Sequence, residues 1–185
     1  MSNAKDNKLI NLVLSAMFLA LALVLPFLTG QIKEIGNMLL PMHIPIMLCG
    51  LVCGWQYGIT IGFIAPLMRS ALFGMPVMFP SAVSMAFELA TYGLVIGLIF
   101  AKSKWHCIKS LYKSLIVSMI CGRIVWCIVQ TVLLSIQGSE ITVKMLLTAS
   151  IINAIPGIIL QLVLIPSAML LLKKTHFRHR HRNEN

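Results

Sequence analysis

The stretch PMHIPIMLCGLVCGWQYGITIGFIAPLMRSALF, residues 41–73, decides the fold class of this chain because it is apolar almost throughout. It is much longer than the ~20 residues that one membrane-spanning helix needs. The segment Gly54-Trp55-Gln56-Tyr57-Gly58 interrupts it, and such glycines are typical of turns. We therefore predict two short spans, 41–54 and 57–73, joined by a turn near Trp55.

Four further apolar runs have the length of a spanning helix, and they cover residues 9–28, 81–101, 115–136 and 146–172. Of the 185 residues, 58% are hydrophobic and only 11% are charged, whereas soluble domains are nearer ~25% charged. This composition excludes a disordered chain and a water-soluble enzyme of ordinary make-up. We predict an all-α integral membrane protein, a six-transmembrane-helix bundle that forms a single domain and ends in a basic tail at 173–185.

The net charge of +10 predicts how this bundle is oriented. With six spans, both termini and the loops near 55–57 and 102–113 lie on one side of the membrane. That side collects most of the 15 basic residues, namely Lys5, Lys8, Lys102, Lys104, Lys109, Lys113, Lys173, Lys174, Arg178, Arg180 and Arg182. The other side receives Lys33 and Lys144. Because basic residues concentrate on the cytoplasmic side, we predict that both termini are cytoplasmic, and we favour this explanation of the tail over nucleic-acid or lipid binding.

Three ionisable residues fall inside the predicted spans: Arg69, Glu88 and Arg123. Charged groups at this depth are costly and usually face a protein interior or a cavity. Either these groups line a ligand cavity, or Glu88 pairs with Arg69 or Arg123 and only locks helices together. Two arginines against one carboxylate leave one positive charge unmatched, which favours an anionic ligand held by a guanidinium group.

Other polar residues are placed to join the same layer. Helical spacing or similar depth relates Tyr92 and Asn153 to Glu88, and Trp126 and Gln130 to Arg123. His43 opens the second span, where it either touches a ligand or caps the helix. A separate pattern of small residues, Ala16 and Ala20 in the first span, allows another helix to approach closely; that helix belongs either to this chain or to a partner.

Taken together, these residues resemble the substrate-binding S component of energy-coupling factor (ECF) vitamin transporters. The resemblance covers essentially the whole chain and is densest over 42–97. The matching elements are His43-Ile44-Pro45, the series Gly50, Gly54, Gly58 and Gly62, then Pro66-Leu67-Met68-Arg69, Gly74-Met75-Pro76 and Glu88-Leu89-Ala90-Thr91-Tyr92-Gly93. Ala16 and Ala20 match an AxxxA element that contacts the transmembrane T subunit in this family.

This resemblance implies a high-affinity substrate-binding subunit of an ABC-type importer for a vitamin or related micronutrient. It implies a non-catalytic chain without cofactor or metal, in the plasma membrane of a bacterium, associated with a T subunit and two ATP-binding A subunits that hydrolyse ATP. Its predicted substrate-binding residues are Asn37, His43, Arg69, Glu88, Tyr92, Arg123, Trp126, Gln130 and Asn153. The arginine surplus favours pantothenate, while pyridoxine, a thiamin precursor and a queuosine precursor remain open.

Three other classes compete with this interpretation. An intramembrane enzyme would need a motif such as HExxH or GxSxG, or paired aspartates, and the sequence contains none of these. A structural membrane protein would not need Arg69, Glu88 and Arg123 in one layer. Stand-alone secondary transporters are often built from internal repeats, which the sequence does not display. A small secondary transporter therefore stays as the alternative.

Overall fold

In the computed structural model of the chain, every described secondary-structure element is helical. The backbone is described for residues 2–28, 41–103, 108–138 and 155–182, and side chains for 8–27, 41–103, 108–138 and 155–171. These residues form α1 (Ser2–Leu28), α2 (His43–Val52), α3 (Trp55–Phe73), α4 (Val83–Lys102), α5 (Ile108–Ile136) and α6 (Ile155–Arg182). A kinked segment, Met78–Ala82, in which the backbone of Phe79 is extended, leads into α4.

Three segments of these helices are long and apolar enough to cross a membrane: Lys8–Phe27, Met78–Lys102 and Ile108–Ile136. His43–Val52 and Ile155–Leu171 are shorter apolar helices. The predicted all-helical membrane architecture is confirmed in this form. The count of six spans and the side on which the termini lie remain predictions.

The turn near Trp55 is set by a glycine. Gly54 adopts a φ of 99°, and α3 begins at the next residue. Backbone with positive φ favours glycine because other residues have a Cβ that clashes there. Gly74 ends α3 in the left-handed conformation, with its N–H donating to the carbonyl of Ser70. The long apolar stretch therefore folds back on itself as α2 and α3.

Contacts at both ends of the helices establish their directions. Tyr57 donates to the Lys8 carbonyl at the start of α1 and α3, and Phe27 meets Phe73 at their other ends, with ring centroids 4.9 Å apart. α1 and α3 are thus parallel. α4 runs antiparallel to α5, because Ser84 at its start contacts Gln130 near the end of α5.

α2 lies at the centre of the bundle, in contact with α1, α3, α4 and α6. Almost all of its ten residues are buried, from His43 to Leu51. A helix of this length measures only ~15 Å, about half the thickness of the hydrocarbon core. The predicted span at 41–54 therefore contains a short, enclosed helix. Its first residue, His43, is buried in the interior of the bundle.

Glycines bring α3 and α4 into close contact. A Cβ added to Gly93 would come closer than 3.0 Å to the backbone of Gly58, and one added to Gly97 would do the same at Trp55. Small residues at helix interfaces let membrane helices approach in this way. We call Gly58, Gly93 and Gly97 the glycine seam. Gly93 and Gly97 lie on the face of α4 that packs on α3, and another face of α4 is turned toward α2 and α5.

Candidate functional site

A polar cluster is buried around Glu88, where α2, α4 and α5 meet. Glu88 is only 1% exposed, and its Oε1 accepts a hydrogen bond of 2.8 Å from the Tyr92 hydroxyl. Arg123 Nη1 lies 3.3 Å from the same oxygen, and His43 Nε2 lies 3.8 Å from it. We call His43, Glu88, Tyr92 and Arg123 the Glu88 cluster. All three contacts reach Oε1 of the carboxylate.

Local structure explains why these side chains meet. Tyr92 lies one helical turn after Glu88, so both project from the same face of α4. His43 is the first residue of α2, and its ring lies 5.3 Å from that of Tyr92. On α5, Gly122 leaves room for the Tyr92 ring, because a Cβ there would come closer than 3.0 Å to three ring carbons. The glycine thereby places Arg123 beside the carboxylate.

The Glu88 cluster contains buried nitrogen atoms with no hydrogen-bond partner in the described structure. They are Nδ1 and Nε2 of His43 and Nε of Arg123. Leaving a buried polar group unsatisfied costs about 1–3 kcal/mol, and most buried polar groups in proteins are paired. The Arg123 side chain is also 21% exposed. These groups are therefore available to bind a ligand that brings its own polar atoms.

A second buried contact extends the same face of α4 toward its start. Ser84 Oγ donates to Gln130 Oε1 over 2.5 Å, and both side chains are buried. Ser84 lies one turn before Glu88 on α4, and Gln130 lies about two turns after Arg123 on α5. Ser84–Gln130, Glu88–Arg123 and Tyr92–Gly122 thus form successive contacts between the two antiparallel helices.

The structure does not bring Arg69 to Glu88. Arg69 Nη1 donates to the carbonyl of Leu23 on α1 over 2.7 Å, and its guanidinium carbon lies 5.1 Å and 5.7 Å from the ring centroids of Phe27 and Phe73. These distances allow cation–π attraction to both rings. Glu88 pairs with Arg123, and Arg69 instead holds α1 against α3. Of the two pairings that the sequence left open, the described residues form the one between Glu88 and Arg123.

The other predicted residues have varied positions. Trp126 is half-buried on α5, one turn beyond Arg123. Asn37 and Asn153 lie outside the described residues. Ala16 and Ala20 are exposed on α1, on the side away from the buried Ser15 and Ala22. Their exposure leaves the small-residue pattern uncovered by the described part of this chain.

Three residues of interest were not anticipated from the sequence. Helical spacing from Glu88 could have identified Ser84, but no sequence signal marks Gly122 as the residue beneath Tyr92. Gln161 on α6 is 2% exposed, and its Nε2 has no hydrogen-bond partner in the described structure; a lone amide in an apolar helix was a usable signal. Within the described side chains, no group of three or more His, Cys, Asp or Glu residues is arranged to hold a metal ion.

Comparison with known proteins gives one match. The family model described as "ECF transporter, substrate-specific component" matches residues 11–169, a range that includes every member of the Glu88 cluster. Comparisons with curated proteins and with solved structures found no match.

Proposed function

Because the chain belongs to the family of substrate-specific components of ECF transporters, we propose that it is the high-affinity substrate-binding subunit of an importer for a vitamin or related micronutrient. Members of this family are transport subunits that bind a small-molecule substrate and associate with ECF T and A components. The A subunits would hydrolyse ATP, and this chain would have no catalytic role.

The Glu88 cluster is our proposed substrate site. The observation that supports it is the set of unpartnered buried nitrogens beside a paired carboxylate and guanidinium. A pure structural lock between helices gains by pairing all of its polar atoms, because unpaired ones lower stability. Trp126 and Gln130, on the same helix as Arg123, are proposed to complete the site together with Asn37 and Asn153, whereas Arg69, which contacts Leu23 on α1, is not part of this proposal.

The identity of the ligand is a finer proposal. The sequence argument for pantothenate rests on an arginine with no carboxylate partner. In the structure Arg123 lies beside Glu88 and Arg69 faces α1. The Glu88 cluster therefore contains no arginine without a carboxylate partner, and the argument for pantothenate does not apply to it. Pantothenate therefore stands beside pyridoxine, a thiamin precursor and a queuosine precursor as a candidate.

The proposed orientation follows from the basic residues. We propose six spans in a bacterial plasma membrane, with both termini in the cytoplasm, as the distribution of lysine and arginine favours. α4 would then begin at the outer surface. Glu88 is five residues beyond Val83, which places it within ~8 Å of that end of the helix. A substrate would enter the cluster from outside the cell.

The first experiment tests the binding and transport roles together. The full chain is purified in detergent, small molecules released from it are identified by mass spectrometry, and uptake is measured after reconstitution with T and A subunits. We expect one tightly bound vitamin-like compound and uptake that requires ATP. Failure to bind any such compound in a broad screen would refute the proposal, and ATP-independent uptake by the chain alone would indicate the secondary transporter instead.

The exposed face of α1 is our proposed docking surface for the T subunit, with Ala16 and Ala20 at its centre. Trp at both positions would hold the partner helix away, because close approach needs small side chains. We expect the double variant A16W/A20W to bind ligand normally but to lose uptake with T and A subunits. The matched control is Ile120→Trp on the exposed face of α5. Normal uptake by the double variant would exclude this face.

A further inference from the structure

We infer, on the basis of the proposed function, that the Glu88 cluster selects a neutral ligand carrying a hydrogen-bond donor next to an acceptor, and discriminates against a free carboxylate or phosphate. An amide, a lactam or the edge of an aminopyrimidine has this chemistry. The inference concerns the substrate class of the same site and depends on the positions and charges of its four side chains.

The first argument is charge balance. Glu88 and Arg123 carry opposite charges with atoms 3.3 Å apart. The two charges therefore balance each other without a ligand. An entering carboxylate would add an unmatched negative charge next to Glu88, which is almost fully buried. Two like charges next to each other repel strongly where water does not screen them.

The second argument is the pattern of available atoms. The described contacts to Tyr92, Arg123 and His43 all reach Glu88 Oε1, and Oε2 is the second acceptor of the same carboxylate. Arg123 Nε carries a hydrogen with no partner in the described structure, and so does at least one of the two ring nitrogens of His43. A ligand with a donor facing Oε2 and an acceptor facing these N–H groups would form hydrogen bonds with the carboxylate and with the N–H groups at the same time. A carboxylate offers acceptors only and leaves Oε2 facing another anion.

The third argument concerns Arg69, the residue that would otherwise supply a spare positive charge. Its guanidinium donates to the Leu23 carbonyl and lies between two phenyl rings. These contacts orient it toward α1. The positive charge of Arg69 therefore lies between α1 and α3, away from Glu88.

The deciding experiment identifies the ligand that leaves the purified full chain and adds two matched pairs of probes: nicotinamide with nicotinate, and pantothenol with pantothenate. The members of each pair differ in whether they carry a carboxylate. We expect a neutral donor–acceptor compound as the native ligand, and we expect the neutral probe of each pair to compete with it about tenfold better or more. A native ligand held through its carboxylate or phosphate would overturn this inference but leave the proposed function intact. Failure to bind any small molecule would remove both.

A charge-changing variant provides the second measurement. Glu88→Gln keeps the shape of the side chain and leaves Arg123 unmatched, so we expect the preference for the neutral probe to shrink at least about tenfold or to reverse. Lys109→Ala, at the exposed start of α5, is the control and should preserve the preference. If Glu88→Gln does not fold, the native ligand still decides. An unchanged preference in folded Glu88→Gln would overturn the inference.

Discussion

Gly122→Ala is the smallest change that tests the geometry of the Glu88 cluster, because it adds one methyl group beneath the Tyr92 ring. The new Cβ would come closer than 3.0 Å to Cδ1, Cε1 and Cζ of that ring. Tyr92 is 2% exposed, so it has little free space into which it can move. The ring must therefore shift, and its hydroxyl must move relative to Glu88 Oε1.

The expected loss of stability is the sum of three contributions. Overpacking a filled interior costs about 1–3 kcal/mol. Weakening the Tyr92–Glu88 hydrogen bond costs about 1–2 kcal/mol in a membrane protein. Replacing glycine by alanine within a helix returns up to about 1 kcal/mol. The net loss is then about 1–5 kcal/mol, and the loss of a fixed Glu88 orientation should weaken ligand binding about tenfold.

Thermal unfolding in detergent and ligand titration measure these two effects. A double-mutant cycle with Tyr92→Leu separates the clash from any change in α5 itself. Because leucine lacks the ring, Gly122→Ala should cost little in that background. Equal costs of Gly122→Ala in both backgrounds, or wild-type stability and affinity of the single variant, would refute the placement of Tyr92 over Gly122.

Two further predictions distinguish helix packing from ligand contact. Arg69→Ala should lower the unfolding temperature through loss of the Leu23 contact, while ligand affinity stays within about twofold of wild type. Arg123→Ala should instead weaken ligand affinity by about 100-fold or more. Equal effects of the two variants on affinity measured by titration would contradict their separate roles. Ser84→Ala leaves the buried Gln130 oxygen without its donor and should destabilise the protein by about 1 kcal/mol. Thermal unfolding measures this loss against the exposed control variant Thr60→Ala. A Ser84→Ala variant as stable as the control would exclude the contact.

Much of the helical architecture is predictable from the sequence because it depends on local properties. Apolar length indicates the membrane helices, and Gly54 marks the turn between α2 and α3 since its φ of 99° favours glycine. Helix length within an apolar run is less predictable. The apolar run 9–28 lies in a helix of 27 residues, whereas the predicted span 41–54 contains a helix of only ten. The difference arises because residues 2–8 continue α1 beyond its apolar run, while the turn at Gly54 follows soon after the end of α2.

The candidate site is predictable only in part. Spacing of one turn links Glu88 to Tyr92, and this pair is hydrogen-bonded as the helical period predicts. The choice between Arg69 and Arg123 depends on how α3 and α5 rotate about their axes, which is settled by contacts distant in sequence. Phe27, Phe73 and the Leu23 carbonyl hold Arg69, and no local pattern around residue 69 reveals them.

The two faces of α4 connect rigidity with recognition. On one face, Gly93 and Gly97 pack so closely on α3 that an added Cβ would strike backbone. On another face, Glu88 and Tyr92 project toward α2 and α5. Backbone-to-backbone contact fixes the rotation of α4 more firmly than flexible side chains do, because backbone atoms cannot change rotamer. A site with unpaired buried nitrogens is costly to maintain and is useful only if its atoms stay in position for the ligand. At the proposed site, Gly93 and Gly97 would therefore support binding indirectly, by holding the Glu88 carboxylate in place on the opposite side of α4.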